Sequence, residues 1–308
     1  MIIKIIKIIC VNLNNLRYVS AKMFAIVALA FVSCAEINTP DGDASIFDLS
    51  TPELTAFDQW LRENFVDTYN INVIYKYSDY DTHLHYNVVP ADVEQSKKMA
   101  FLVKYLWLDA YTEAADNGIH FLRANAPRVL QFTGSGEWSS SGTMSAGSAE
   151  GIYKITINDV NSLDQTNIAA QLYYFETMHH EFGHFLHFAK DYPPEFSAIS
   201  RTDYLIEYHT RDSEEAAQTG FVSAYAGLNS DEDFVETLAA YIVYDDEWWD
   251  KKLQEAQAKG SEIILRKVDL IRRYMLNAWG IDLDLLRTIV QRRIEEAPNL
   301  DINDILGF

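Results

Sequence analysis

His180-Glu181-Phe182-Gly183-His184 constrains this chain more than any other stretch. Two histidines four residues apart fall on one face of an α-helix, about 6 Å from each other, so both imidazoles can reach one ion. Glu181 then sits beside whatever that ion holds. The pattern is half of a metal site with its own base, and a base in that position points to hydrolysis. A chain that carries it must place the pentad in a helix and bring a further ligand from elsewhere.

The helix can be phased. Ile168, Leu172, Phe175, His179, Phe182, Leu186 and Ala189 recur at steps of four and three, which predicts a buried stripe. His179 lies in that stripe and is expected in the core. His187 shares the neighbouring face with His180 and His184. Seven residues of helix rise about 10 Å, however, and zinc–nitrogen bonds are only about 2 Å, so His187 is not expected to join them on one ion. Gly183 stands between the two ligands, where a side chain would crowd the approach.

A second helix supplies candidates for the missing ligand. It opens at Asn229-Ser230-Asp231-Glu232-Asp233-Phe234-Val235-Glu236 and runs on through Leu238, Ile242 and Val243. Glu232 and Glu236 share a face, so one carboxylate can complete a tetrahedron while the other hydrogen-bonds a ligand imidazole and fixes its tautomer. The same residues also read as a helix start, with Asn229 as cap and Glu232 three positions on.

Upstream, Thr51 to Phe65 reads as a capped helix with Thr51 as N-cap candidate, Ile71 to Tyr77 as a strand, Ala91 to Asn117 as a long helix and Arg128 to Thr133 as a strand. Gly134 to Gly151, rich in glycine and serine, reads as a loop bordering a cleft. Ile152 to Val160 reads as a strand, placed either at the sheet edge, where N–H and C=O groups could pair with an extended substrate, or as an ordinary strand of the sheet. Downstream, Ser261 to Met275 and Leu283 to Ile294 read as amphipathic helices closing the domain, with the Arg272-Arg273 and Arg292-Arg293 pairs on solvated faces.

The first 33 residues differ from the rest. They carry Lys4, Lys7, Arg17 and Lys22, no acidic residue, and an apolar run from Met23 to Val32 that ends in Ser33-Cys34. This reads as an export signal with a lipobox-like end, residues 1–33 being removed and Cys34 becoming a lipid anchor. Residues 34–45 read as a polar tether and 46–308 as the folded body, with an N-terminal α/β part (46–150) and a metal-site and helical part (151–308). Both cysteines, Cys10 and Cys34, lie in the first 34 residues, so the body has neither disulfide nor thiolate ligand. The net charge of −20 over 308 residues argues against nucleic-acid partners, which require basic patches.

The pentad followed by an E-x-x-x-[DE] helix resembles the gluzincins, and the stretch from Tyr225 to Glu236 resembles anthrax lethal factor-type peptidases. More broadly, Phe57-Asp58-Gln59-Trp60-Leu61, Lys104-Tyr105-Leu106-Trp107-Leu108, Ala149-Glu150-Gly151, the pentad, Phe221 to Ala226, the Glu232–Glu236 helix and Trp279-Gly280-Ile281-Asp282 resemble the substrate import-associated zinc metallohydrolase lipoproteins of Bacteroidetes. Val235 departs from the alanine usual there. The resemblance implies an α+β zincin-like fold, with the active-site helix on a small mixed sheet and a helical C-terminal part. It also implies a Zn2+ cofactor and an exported, membrane-anchored protein associated with an outer-membrane import complex. Residue by residue, it implies His180, His184 and Glu232 as zinc ligands, Glu181 as general base, Glu236 as support for a ligand histidine, and Tyr225 as oxyanion donor, with His209 a second candidate for that last role. Glu236 or Asp233 stays open as third ligand. The expected activity is hydrolysis of peptide bonds in a peptide or protein substrate. The alternatives are a non-catalytic zinc-containing binding module of an import system and a zinc amidase acting on non-peptide bonds.

Overall fold

The computed structural model describes residues 53–78, 81, 86–138, 144–145 and 147–308. The leader, Cys34 and the tether lie outside the described residues. The chain divides into residues 1–53 and a compact unit of residues 54–308, and every described helix and strand belongs to the second.

The first helix begins later than its sequence suggests. Thr55, not Thr51, is the cap of α1 (Ala56–Leu61): its hydroxyl accepts from the Asp58 N–H while the Asp58 carboxylate takes the Thr55 N–H, a reciprocal capping box. The helix runs on through a wide turn, Arg62–Val66, to Tyr69, and Asn70 in the left-handed region ends it. Strand β1 (Asn72–Ile74) follows, then α2 (Val93–Val103), which continues through the wide turn Lys104–Leu108 into α3 (Asp109–Ala114), and α4 (Gly118–Asn125). Strand β2 (Val129–Phe132) leads to a short hairpin, β3 (Glu137–Trp138) with β4 (Met144–Ser145), and then to β5 (Gly147–Glu150) and β6 (Lys154–Ile157).

The sheet order is β1-β2-β6-β5, with β1, β2 and β6 parallel and β5 antiparallel to β6. This corrects one expectation and settles another. The glycine-serine stretch is not only loop, because it contains β5; and among the described residues β5 is the outermost strand on that side, while β6 lies inside the sheet, buried along its whole length. Gly147 explains how a poor strand former comes to be there. A Cβ on it would stand 2.6 Å from the Thr156 carbonyl and 2.8 Å from Thr177 Cγ2, so only glycine lets β5 lie this close to the helix behind it.

After a 3-10 stretch, Gln165–Gln171, comes α5 (Tyr173–Ala189), the pentad helix. Of the phased stripe, Ile168 in the 3-10 stretch and Phe175, His179, Phe182 and Leu186 in α5 are essentially inaccessible, whereas Leu172 is half-buried and Ala189, in the last turn, is exposed. Phe182 meets Trp107, Tyr111 and Phe121 edge-on at 5.2–5.9 Å, which ties α5 to the wide turn after α2, to α3 and to α4. Burying such a ring contributes roughly 1.5–3 kcal/mol. Then come α6 (Pro194–Ile199), α7 (Ser213–Gln218), α8 (Ser230–Val243), α9 (Asp246–Trp279), α10 (Leu283–Glu296) and α11 (Ile302–Leu306). The helix expected at Ser261–Met275 is the second part of α9, which is broken at Gln257 (φ 56°).

Arg293 is not on a solvated face. Its side chain is 12% exposed, pairs with Glu113 at 2.8 Å and donates to the Tyr105 carbonyl. The result is an α+β architecture, largely helical, with a small mixed sheet on one side of the pentad helix. No helix among the described residues is long and apolar enough to cross a membrane.

Candidate metal centre

Gly183 sets how near α5 and α8 come. A Cβ there would lie 2.9 Å from Val235 Cγ1 and 3.3 Å from Leu238, so the two helices cross with glycine against valine. The glycine thus serves the helix contact, and the crossing brings the first two turns of α8 beside the pentad. Asn229 caps α8 by accepting from the N–H groups of Asp231 and Glu232. Both readings of this segment hold together: the cap satisfies the Glu232 backbone, and the Glu232 side chain is left to face the histidines.

His180 Nε2 and His184 Nε2 both point at one oxygen of Glu232, Oε2, at 3.2 and 3.4 Å. Ligand atoms of the three residues lie within 4.8 Å of one another. Glu232 Oε2 is buried and has no well-aligned hydrogen bond, although two ring nitrogens stand close to it. Three donors converging on a common point, with an orphaned buried oxygen among them, fit a metal ion better than a closed hydrogen-bond network. Two imidazoles, one carboxylate and no thiolate suit zinc with a position left for water.

Protons compete for the same place. Burial lowers the basicity of His180, but its contacts with Glu232 and Glu236 outweigh that and raise its pKa to about 10. Burial likewise pushes Glu232 up, and the two histidines overcome it, holding the carboxyl at about 2.

The other nitrogen of each histidine is also engaged. His180 Nδ1 lies 2.8 Å from Glu236 Oε1, and the second oxygen of Glu236 accepts from Ser223 Oγ at 2.5 Å. His184 Nδ1 lies 2.9 Å from His187 Nε2. Glu236 therefore stands behind a histidine rather than at the convergence point. Asp233 turns away altogether: it is fully buried, 2.6 Å from Lys267 Nζ and hydrogen-bonded by Tyr204.

Glu181 is nine-tenths buried, and among the described residues its carboxylate takes no hydrogen bond. Burial raises its pKa, against the opposing pull of His180 and His184. Tyr225 sits on a 3-10 turn, Tyr225–Gly227, with its ring against His180 at 6.0 Å and edge-on to Tyr208 at 5.1 Å. Burial, then the charges of Glu232 and Glu181, raise its phenol and keep it a donor. His209 is exposed, and its ring meets Tyr208. His179 is enclosed in the core beside Tyr111, and burial drops its pKa to about 3.

Three participants were not foreseen from the sequence. Ser223 holds Glu236, which holds His180, and His187 holds His184 directly. Glu176, one turn before His180, lines a cavity of about 360 Å³ with Glu236, Tyr244, Trp248 and Lys252. Only His187 carried a signal in the sequence, its i+3 spacing from His184.

Residues 50–284 match the family described as putative zinc-binding metallo-peptidase. Among solved structures, a putative zinc-binding metallo-peptidase from Bacteroides caccae is 41% identical, with a TM-score of 0.71 over 84% of this chain and 98% of that one. No curated protein matches. A family model spanning most of the chain and a relative of this identity lead to one conclusion: the chain belongs to this zinc-binding metallo-peptidase family.

Proposed function

We propose that this chain is a zinc-dependent peptidase, with His180, His184 and Glu232 as ligands and Glu181 as general base. The observation that carries the reading is the convergence of three donor groups, with the buried carboxylate of Glu181 on the same helix as two of them. When bound, zinc supplies Lewis acidity, which polarises a carbonyl and makes water a nucleophile near neutral pH. Glu181 accepts one proton from that water and passes it to the departing amine; its raised pKa makes the carboxylate a stronger acceptor in the first of these transfers. Tyr225, protonated and beside His180, donates to the negative charge that develops on the carbonyl oxygen. Glu236 fixes His180 through Nδ1.

We extend this reading to export and to a lipid anchor at Cys34, on the basic, apolar and Ser-Cys order of the leader. Work beside an outer-membrane import complex belongs to the same proposal, on the family resemblance. The test measures zinc content and cleavage of proteome-derived peptides by native protein and Glu181→Gln. Stoichiometric zinc in both with cleavage only by the native protein is expected. Full zinc and no cleavage by the native protein would sink the peptidase reading in favour of a binding module. In cells, Cys34→Ala should leave the membrane fraction and lose co-purifying import proteins; an unchanged distribution removes the anchor, and unchanged co-purification removes its role in that association.

A further inference from the structure

The two histidines of the pentad are supported by different chemistry. Behind His180 stands a carboxylate, Glu236. Behind His184 stands another imidazole, with His187 Nε2 at 2.9 Å from Nδ1. His187 is three residues further along α5, where one turn of helix places it on the same face as His184. It is 5% exposed, and its ring is enclosed by Phe188 at 4.4 Å, Tyr192 at 5.6 Å and Phe234 at 6.2 Å. Tyr192 and Phe234 stack on each other at 4.6 Å, and Tyr192 donates to Asp231 beside Glu232. The imidazole of His187 is therefore held by the same aromatic group that seats the start of α8.

A neutral imidazole has one N–H and one lone pair, so a bond between two imidazoles dictates both tautomers. If His184 offers Nε2 to a metal, its proton is on Nδ1 and His187 Nε2 must accept it. The proton of His187 is then on its own Nδ1. In this arrangement His187 lies on the side of the His184 ring away from Glu232, which also explains why it contributes no donor to the convergence point.

We infer that His187 is a positioning residue: by accepting the Nδ1–H of His184 it holds that ring in the tautomer and orientation that present Nε2 to zinc. The inference rests on the zinc reading above. Loss of such an outer partner typically costs 10–100-fold in metal affinity. Packing alone predicts something else, because phenylalanine would fill the same aromatic cage without accepting a proton.

The test compares native protein, His187→Phe and His187→Gln, whose side-chain amide can place an acceptor near the position of Nε2. Zinc dissociation constants come from competition with a chromophoric chelator, cobalt(II) absorption spectra report ligand geometry, and melting of the zinc-free proteins reports packing. The expected result is about 10–100-fold weaker zinc binding and an altered cobalt spectrum in His187→Phe. His187→Gln should recover most of the affinity, and all three zinc-free proteins should melt alike. Equal affinities in all three, or equal losses in both variants, overturn the role of His187 while leaving the metal site in place. Failure of the native protein to bind zinc overturns the site itself, and the inference with it.

Discussion

Tyr225 and Glu176 lie on either side of His180 and illustrate two uses of a buried polar group. The Tyr225 phenol is half-buried among carboxylates, which raises its pKa and preserves its proton. As an oxyanion donor it matters only once charge develops on the substrate, so Tyr225→Phe should lower kcat by roughly 10²–10³-fold with KM and zinc content unchanged. Steady-state kinetics with one cleaved peptide decide it, and a kcat within a few-fold of native removes the role. Glu176 does no chemistry in this scheme. Burial, with the charge of Glu236 added, raises it to about 7 while Tyr244 donates to it at 2.6 Å. Because the folded state holds this proton above the ordinary 4.5 of the unfolded chain, stability from this group falls as pH rises from about 4.5 to about 7 and changes no further above that. Glu176→Gln keeps an acceptor for Tyr244 and has no proton to lose. Relative to native protein it should gain stability between pH 5 and 8, read from urea midpoints of zinc-free samples. Parallel pH profiles for the two proteins would contradict this.

At the scale of elements, the centre depends on how α8 is seated, and part of that seat was hidden from the sequence. The pentad and the Glu232–Glu236 pair were legible because helical periodicity is local: four residues always make one face. The edge strand β5 was not, since Gly147 and the residues after it become a strand only through pairing with β6 and close approach to α5. Asp233 read as an acidic residue of a helix start and as an alternative third ligand. In the structure it is fully buried against Lys267 of α9, whose ammonium also donates to the Gly220 carbonyl and lies 4.1 Å from the Phe221 ring centroid. One cation thus joins α8, α9 and the segment leading to Tyr225. Burial opposes charge on both partners, raising Asp233 to about 6 and lowering Lys267, so the pair is held by its own attraction and its hydrogen bonds. Lys267→Met should cost about 3–5 kcal/mol by leaving a buried carboxylate unpaired. Adding Asp233→Asn should recover a good part of that. Chemical denaturation of the single and double variants measures both, and a loss below about 1 kcal/mol for Lys267→Met would show that the pair does not hold α8.

For the unit of residues 54–308 as a whole, the proposed metal would be a cross-link as well as a reagent. Its proposed ligands come from α5 and α8, the two helices packed most intimately at Gly183, and each belongs also to the main core through Phe182 and Phe234. Without an ion, the same place holds a proton between His180 and Glu232, so removal of zinc leaves a paired rather than a repelling site. The fold should therefore survive chelation, with lower stability. An ion that binds only the folded state stabilises it by about 2.7 kcal/mol when present at 100 times its dissociation constant, which for a domain of this size corresponds to a rise of roughly 5–10 °C in Tm. Calorimetry of chelated and zinc-loaded protein should show that rise, and it should grow with the concentration of free zinc. Glu181→Gln should retain the whole shift, because the base is not a ligand. Glu232→Ala should lose it, because the helix opposite α5 then has no donor at the point of convergence. The same zinc response in Glu232→Ala as in native protein would place the ion elsewhere in the chain. Zinc acting as a ligand-bridged tie between α5 and α8 requires the two variants to part in this way.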